Sequence, residues 1–367
     1  MNQLTSKEKE VIELIKKNPF LEQEEIAKQL GITRSSVAGH LARLIKKGIL
    51  RRGYILDENL EGIAVVGGAN VDIKGIAEGG FKYQSSNPGV VHKTAGGVAR
   101  NVAENLARLN VLTTLFTVVG NDEEGRWLLD VTGQAGVNIQ HVAQFFDEKT
   151  GLYLSILNEK KEQIGSIADM QIMERFDQEI VQDIIPKLIH HKMVFVDTNL
   201  PKKSLNLIIE GLNEKKLPII VDPVSVKKSA KLKDLLKGIR LITPNKEEAE
   251  FLSGIEIEKE SDLIKVAEFF FVHGVEEVVI TLGAKGVYVA TPNKQQLLSS
   301  PNVQVKDTTG AGDAFLAGLI YGLKKYNDIF EACNYGSAMA AITLSRVQTV
   351  ASDLTEDLLE NTRKELF

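Results

Sequence analysis

The sequence predicts an α/β protein in which a parallel sheet lies between two helical layers, with a small β lid, behind a short basic N-terminal module. Three observations carry that expectation. From Gly62 onward short apolar runs alternate with helical stretches, and strands bounded by helices imply a parallel sheet covered on both faces. Residues 74–95 and 149–168 break this rhythm with alternating, Gly-punctuated sequence, which suits a small separate sheet serving as a lid or a dimer surface; ordinary crossover loops are the bland reading. Finally, residues 1–56 carry 11 Lys or Arg against 6 Glu, a net of +5, which leaves −10 for the rest of a chain whose formal charge is −5. A basic module on an acidic body points to a polyanion partner for the module alone.

The 367 residues, 43% hydrophobic and 25% charged, have an ordinary globular composition. No window approaches the ~18 unbroken apolar residues of a membrane-spanning helix. The start, MNQLTSKEKE, is polar where a secretory leader has an apolar core, so cytoplasm is the expected compartment. A single cysteine, Cys333, excludes an internal disulfide and a Cys-based zinc site; flanked by Ala332 and Asn334 in a helical stretch, it reads as a small packed hydrophobe.

In the module, Thr5 and Glu8 have capping-box spacing, and Val11, Ile12, Leu14 and Ile15 follow at helical spacing up to Asn18-Pro19. A second helix is predicted over about 23–30 with Ile26 and Leu30 inward. After the turn at Gly31-Ile32, Thr33 caps a third helix with Val37, Leu41, Leu44 and Ile45 on its inner face. Arg34, Ser35, Ser36, Gly39, His40 and Arg43 are left outward. Gly48 stops this helix, and residues 49–56 have the pattern of a hairpin or wing, with Arg51 and Arg52 in reach of phosphate. Such a helix, turn and helix can enter a major groove; a solvated basic face is the alternative. The stretch GITRSSVAGHLARLIKKGILRR resembles the winged helix-turn-helix family, which implies DNA binding through Arg34, Ser35, Ser36, His40, Arg43, Arg51 and Arg52. The domains are set at 1–57 and 61–367, joined by a very short linker over 57–61.

In the body, strands are predicted at 63–66, 193–196, 218–221, 239–242 and 278–280, with helices at about 203–214, 246–253 and 261–273. The richest stretch is Asp307-Thr308-Thr309-Gly310-Ala311-Gly312-Asp313, leading into the apolar helix from Ala314. Small residues at Gly310, Ala311 and Gly312 leave the first amides of that helix open to an anion. Asp313 then stands where a phosphate and an attacking hydroxyl meet, able to accept the hydroxyl proton. On the residues alone, it reads equally as a favourable first-turn acid.

The run from Val305 to Phe315 is similar to the C-terminal signature of the ribokinase-like (PfkB) family of sugar and nucleoside kinases. Gly96-Gly97-Val98-Ala99-Arg100-Asn101-Val102-Ala103 looks like a second signature of the same family, and Asn245-Lys246-Glu247-Glu248 matches its NxxE element. The resemblance implies a three-layer ribokinase-like sandwich with a β lid, an anion hole at Gly310, Ala311 and Gly312, and Asp313 as base. It implies that Asn245 and Glu248 organise Mg2+ through water, which suits an oxygen-seeking ion; alone, Glu248 reads as a solvated helix carboxylate. It implies ATP near Thr281, Gly283 and Gly286, with Asn334 as an adenine-side neighbour or a mere helix-surface residue. Backbone carbonyls of Asp307 and Thr309, with the loop at 345–349, are implied for a monovalent cation such as K+.

On the acceptor side, alternation places Asn70 and Asp72 on one side of an extended segment and Val71 on the other. An amide and a carboxylate can hold a vicinal diol, or cap a turn. Gly96 and Gly97 allow close approach of a sugar, and Asn101 reaches another hydroxyl. Gly67–Gly75, Ser86-Asn87-Pro88-Gly89 and Ile167-Ala168-Asp169-Met170 look like pseudouridine kinases, which implies phosphoryl transfer from ATP to the nucleoside 5'-hydroxyl. Asn87 and Asp169 then meet ribose or base from the lid, or are turn residues. The alternatives are a kinase for another ribonucleoside or ribose, and a DNA-binding sensor built on a kinase fold. A homodimer is expected, since lid segments and a winged helix-turn-helix can both use two-fold symmetry.

Overall fold

The computed structural model describes residues 4–18, 21–50, 62–160 and 162–367. The wing with Arg51 and Arg52, and the linker, lie outside the described residues apart from Ile49 and Leu50. In the module, helix α1 (Ser6–Lys17) starts with the expected reciprocal cap between Thr5 and Glu8. Helices α2 (Gln23–Leu30) and α3 (Arg34–Lys46) follow, α3 capped by the Thr33 hydroxyl. Val11, Ile15, Ile26, Val37, Leu41 and Leu44 bury together. One inward assignment needs correction: Ile45 is 39% exposed, whereas Leu30, partly buried, packs against this core as expected. At 100° per residue, Ile45 turns past the edge of the stripe centred on Val37, Leu41 and Leu44. Buried Glu8 ties the module together, accepting from Lys47 Nζ (2.9 Å), Arg43 Nε (3.3 Å) and the Thr5 amide (2.9 Å). Burial disfavours its charge, but these donors outweigh that and hold its pKa at about 2. Lys47 and Gly48 abut Pro186, Lys187 and His190 of the body, and His190 Nε2 meets the Lys47 carbonyl.

The body opens with β1 (Ile63–Val66), β2 (Asn70–Ala77) and β3 (Gly89–Gly96), then α4 (Val98–Arg108), β4 (Thr113–Phe116), β5 (Val118–Gly120), α5 (Glu123–Gln134), β6 (Ala143–Phe145), β7 (Leu152–Leu157) and β8 (Gln163–Asp169). It continues with α6 (Gln178–Leu188), β9 (Met193–Asp197), α7 (Lys202–Asn213), β10 (Ile219–Asp222), α8 (Val226–Ser229), β11 (Leu241–Ile242), α9 (Lys246–Ser253), α10 (Glu260–Val272) and β12 (Glu277–Thr281). The chain closes with β13 (Val287–Ala290), β14 (Gln295–Leu298), α11 (Ala311–Tyr326), α12 (Ile329–Leu344) and α13 (Glu356–Leu366).

Eight strands form one sheet in the order β14-β13-β12-β11-β10-β9-β1-β4, parallel except for the first two pairings, β14 with β13 and β13 with β12. Period-2 alternation sends successive residues to opposite cores. Ala64, Val66, Val194 and Val196 face α6, α7, α9 and α10, whereas Ile63, Val65, Met193 and Phe195 face α4, α11 and α12. Both faces of the sheet are therefore buried, which is why these strands read as unbroken apolar runs. Cys333 is packed inside the second core, as expected.

The two segments outside the βα rhythm lie in a second sheet of order β3-β2-β7-β8. Gly79 to Tyr83, expected to be extended, is instead part of the turn between β2 and β3; positive φ at Gly79 and Gly80 breaks the pleat there. Among the described residues no helix is long and apolar enough to cross a membrane.

Candidate active site

Helix α11 begins at a glycine turn that is exposed at Gly312. Gly310, its N-cap, has φ 80°, and a Cβ there would strike the Thr349 carbonyl, so the 345–349 loop packs directly on the turn. The Ala311 amide closes the turn on Thr308 O (3.3 Å). Gly312 is exposed, with no heavy atom within 4 Å of the place a Cβ would occupy. The open part of the helix start therefore centres on Gly312, with Ala311 partly engaged. Asp313 follows in the first turn, partly exposed. Burial by its surroundings pushes its pKa up to about 7; the Asn101 hydrogen bond opposes the rise and the Asp197 and Asp72 charges add to it.

Asn101 donates to Asp313 Oδ2 (2.7 Å), joining residues 212 positions apart. Its amide has only one possible orientation here, because its Oδ1 accepts from Arg100 Nη1 (2.8 Å). Arg100 is itself buried and anchored on Glu104, Thr132 Oγ1 (3.2 Å) and Ala95 O (3.3 Å). Helix α4 carries both residues and starts at Gly97, where φ is 99° and any Cβ would collide with Gly68 and Ala69.

On β2, Asn70 and Asp72 do share a side: Asn70 Nδ2 donates to Asp72 Oδ1 (2.6 Å), while Val71 is buried opposite. A Cβ on Gly96 would overlap the Asp72 carboxylate, so this glycine makes room for the acid. Burial raises the pKa of Asp72. Two residues on, Lys74 donates to Thr309 Oγ1 (3.2 Å) and lies 3.8 Å from Asp307, bringing the second sheet against the α11 turn. Asp307 accepts from the Thr309 amide (2.8 Å).

The NxxE element forms a reciprocal cap on α9: Asn245 Oδ1 accepts from the Glu248 amide, and Glu248 Oε2 from the Asn245 amide, both at 2.9 Å. Glu248 is 3% exposed, unlike a solvated helix acid, and burial raises its pKa. Asn245 bridges to Thr281 at the end of β12, placing Gly283 and its open surroundings beside this element. Gly286 instead packs on the Leu298 carbonyl.

Two acids at strand ends and one lysine on α8 were missed in the sequence. Asp197 ends β9 and accepts from the amides of Gly68 (2.9 Å), Ala99 (3.0 Å) and Asn199 (2.8 Å). Asp222 ends β10, its pKa raised well above the carboxylate range by burial and then by Glu248, Asp313 and Asp197 nearby. Lys228 donates to Asn199 Oδ1 (2.5 Å), its pKa lowered by burial. The available signal was an acid directly after an apolar strand run, where open parallel sheets bind their ligands.

Other predicted residues lie elsewhere. Asn87 uses its amide on its own loop, with Lys82 N (2.7 Å), Lys82 O (2.9 Å) and Ser85 O (3.1 Å). Asp169 pairs with Leu152, which pairs with Val71, so register puts it on the face away from Asp72; it caps Gln171 instead. Both therefore fit the turn-residue reading. Asn334 donates to Glu331 on its own helix (3.2 Å). In the module, Arg34, Ser35, Ser36 and Arg43 are exposed and His40 is partly so, with Arg43 also engaged by Glu8 and His40.

Residues 60–356 match the profile of the pfkB family carbohydrate kinases. The chain belongs to that family. Residues 4–51 match a winged helix-turn-helix DNA-binding profile. The pfkB kinase is 34% identical over 342 residues to the uncharacterized sugar kinase YeiI of Escherichia coli, covering 93% of this chain and 94% of that one. It is 34% identical over 294 residues to the pseudouridine kinase of the same organism, covering 80% and 93%. A carbohydrate kinase structure from Agrobacterium tumefaciens superposes with TM-score 0.74 at 28% identity, over 83% of this chain and 98% of that one. The protein is thus an ATP-dependent sugar or nucleoside kinase carrying a winged helix-turn-helix domain. Its donor set suits Mg2+: partly exposed Asp222 and buried Glu248 repel one another, which a divalent cation relieves. Among the described residues no three metal-binding side chains converge.

Proposed function

We propose that this kinase transfers the γ-phosphoryl group of ATP to the 5'-hydroxyl of pseudouridine. The observation that supports the reading is an exposed Gly312, with open space where a Cβ would stand, beside an Asp313 carboxylate that accepts from Asn101. Asn70 and Asp72 hold the ribose diol; the space expected at Gly96 and Gly97 for the sugar is taken instead by the Asp72 carboxylate and by the Gly68–Ala69 backbone. Asn101 keeps Asp313 turned toward the 5'-hydroxyl, whose proton passes to the Asp313 carboxylate as the oxygen attacks phosphorus. The Gly312 amide, and Gly310 and Ala311 that shape the turn, stabilise charge on the transferring group. Bound Mg2+ supplies charge neutralisation on the ATP phosphates, and Asn245 and Glu248 are the residues to hold it through water. Thr281 and Gly283 flank the nucleotide. Carbonyls of Asp307 and Thr309 with the 345–349 loop hold a monovalent cation. Identity to a pseudouridine kinase over 93% of that enzyme supports the acceptor, and equal identity to a sugar kinase makes ribose and other ribonucleosides its competitors.

A second role rests on the module. Its exposed α3 start, Arg34, Ser35 and Ser36, supports insertion into a DNA major groove, with His40, Arg43, Arg51 and Arg52 alongside, in a homodimer. The decisive experiment is an ATP-dependent screen of pseudouridine, uridine, adenosine, ribose and fructose, with the phosphorylated position read by NMR. Preference for pseudouridine with a 5'-phosphate product is expected. Preference for free sugar overturns the acceptor assignment, and no turnover at all favours a ligand-sensing regulator.

A further inference from the structure

Behind Asp313 runs a buried line of hydrogen bonds that starts on α5. Thr132, in the last turn of that helix and 1% exposed, donates its hydroxyl proton to Leu128 O (2.6 Å). Its oxygen therefore meets Arg100 only as an acceptor, taking Nε at 3.2 Å. Arg100 directs its other N–H groups at Ala95 O (3.3 Å), Asn101 Oδ1 (2.8 Å) and Glu104. A guanidinium is planar, always charged and donor-only, so these contacts on β3, α4 and α5 fix its plane as well as its place. Glu104 is held in turn by Arg108 Nη2 (2.7 Å). The Asn101 carboxamide passes the direction on, oxygen toward Arg100 and nitrogen toward Asp313 Oδ2 (2.7 Å). Every link has a single polarity, and none can be reversed by turning one group. Helix α5 also packs Leu128 and Leu129 against Val71 of β2, so the helix that anchors this line braces the strand bearing Asp72.

We infer that Thr132 and Arg100 are positioning residues for phosphoryl transfer, a relay that acts through Asn101 to aim the Asp313 carboxylate. This rests on the reading of Asp313 as the base and adds the groups that orient it. The Asn101 bond occupies one carboxylate oxygen, Oδ2, and leaves Oδ1 to the acceptor hydroxyl. Without the Thr132 hydroxyl, Arg100 Nε is stranded in a buried place, so the guanidinium shifts toward another acceptor and Asn101 loses its fixed partner. Lysine in place of Arg100 keeps the charge but, as a point donor on a flexible stem, does not hold Thr132 and Asn101 in one plane. Burial raises the pKa of Asp72 and of Asp313, and the Arg100 charge opposes that rise in both. A displacement of about 1 Å at a reacting group costs about 10²-fold in rate, which is why a residue remote from the substrate matters here.

The test is steady-state kinetics of the full chain with ATP and pseudouridine, and with ribose in parallel, for wild type, Thr132→Val, Thr132→Ser, Arg100→Lys, Asp313→Asn and Thr132→Val combined with Asp313→Asn. Thr132→Val keeps the shape and drops the hydroxyl; kcat should fall about 5- to 30-fold with both KM values within about threefold. Thr132→Ser drops a methyl and keeps the hydroxyl, and should restore most of that kcat. Packing alone would put these two variants in the reverse order. Arg100→Lys, which reads the relay from its middle, should lose about 10- to 100-fold in kcat. On top of Asp313→Asn, Thr132→Val should cost less than about twofold, since the group it aims is gone. The relay is overturned by Thr132→Val or Arg100→Lys within twofold of wild type, by Thr132→Ser slower than Thr132→Val, or by full additivity with Asp313→Asn; the base reading survives each of these. Asp313→Asn at wild-type kcat, or a wild-type chain that turns over neither acceptor, overturns both.

Discussion

Asp313→Asn removes the proposed base while keeping size and the hydrogen bond from Asn101. Loss of general base catalysis costs about 10²- to 10⁴-fold in kcat, with the KM for ATP nearly unmoved, since Gly310, Ala311 and Gly312 are untouched. A wild-type pKa of about 7 adds a pH signature. The carboxylate is the active form, so activity falls about tenfold per unit once pH drops below about 7. Stability moves the opposite way. The folded pKa lies above the ordinary aspartate value of 3.8, so the favourable contribution is complete below that value and is lost as pH rises through about 7. Roughly three pKa units set a ceiling of about 4 kcal/mol at pH 8, and partial exposure reduces this to about 1–2 kcal/mol. Asp313→Asn should therefore melt about 2–6 °C higher at pH 8 while being nearly inactive. The assay is kcat across pH 5–9 beside thermal melts at pH 5 and pH 8. A kcat within threefold of wild type, or a wild-type profile with no break between about pH 6 and 8, would refute the base assignment.

Gly96→Ala places a methyl group on the Asp72 carboxylate, so acceptor KM should rise at least about tenfold with ATP KM unchanged; isothermal titration with the acceptor checks it, and normal affinity removes Asp72 from the sugar site. Glu248→Gln keeps the α9 cap through its remaining oxygen but drops a charge beside Asp222, so the Mg2+ concentration for half-maximal activity should rise about tenfold or more; an unshifted Mg2+ curve excludes the residue from metal organisation. Glu8→Ala strips buried partners from Lys47 and Arg43 and should weaken the module by about 2–3 kcal/mol, abolishing any DNA retention in gel-shift assays while kinase activity persists. With a folded pKa of about 2 against an ordinary glutamate value of 4.5, the contribution of Glu8 is present above pH 4.5 and fades as pH falls toward 2; an α-helical signal indifferent to Glu8→Ala would contradict this.

Much of the architecture was readable because its cause is local. Helix α9 occupies 246–253 as expected, since Asn245 and Glu248 cap it from within four residues. The strands announced themselves as apolar runs because both faces are buried. Side selection on β2 followed from period 2. What escaped was long-range: the Asp197 bonds to Gly68 and Ala99 span 129 and 98 residues, and neither end carries a local mark of the other. Arg100 was visible only as part of a signature, because the orientation it imposes on Asn101 depends on Thr132 and Glu104 being folded around it. Asp169 illustrates the converse: its face depends on pairing register, which spacing along one strand does not determine.

Three backbone amides converge on the Asp197 side chain, and Gly67 lies so near it that even a methyl group would not fit. The turn leading to the second sheet, the beginning of α4 and the tip of β9 are thereby riveted to one point. One carboxylate at the tip of a body strand thus sets where β2 departs and where α4, continuing from β3, returns, so its loss would unfasten both connections at once.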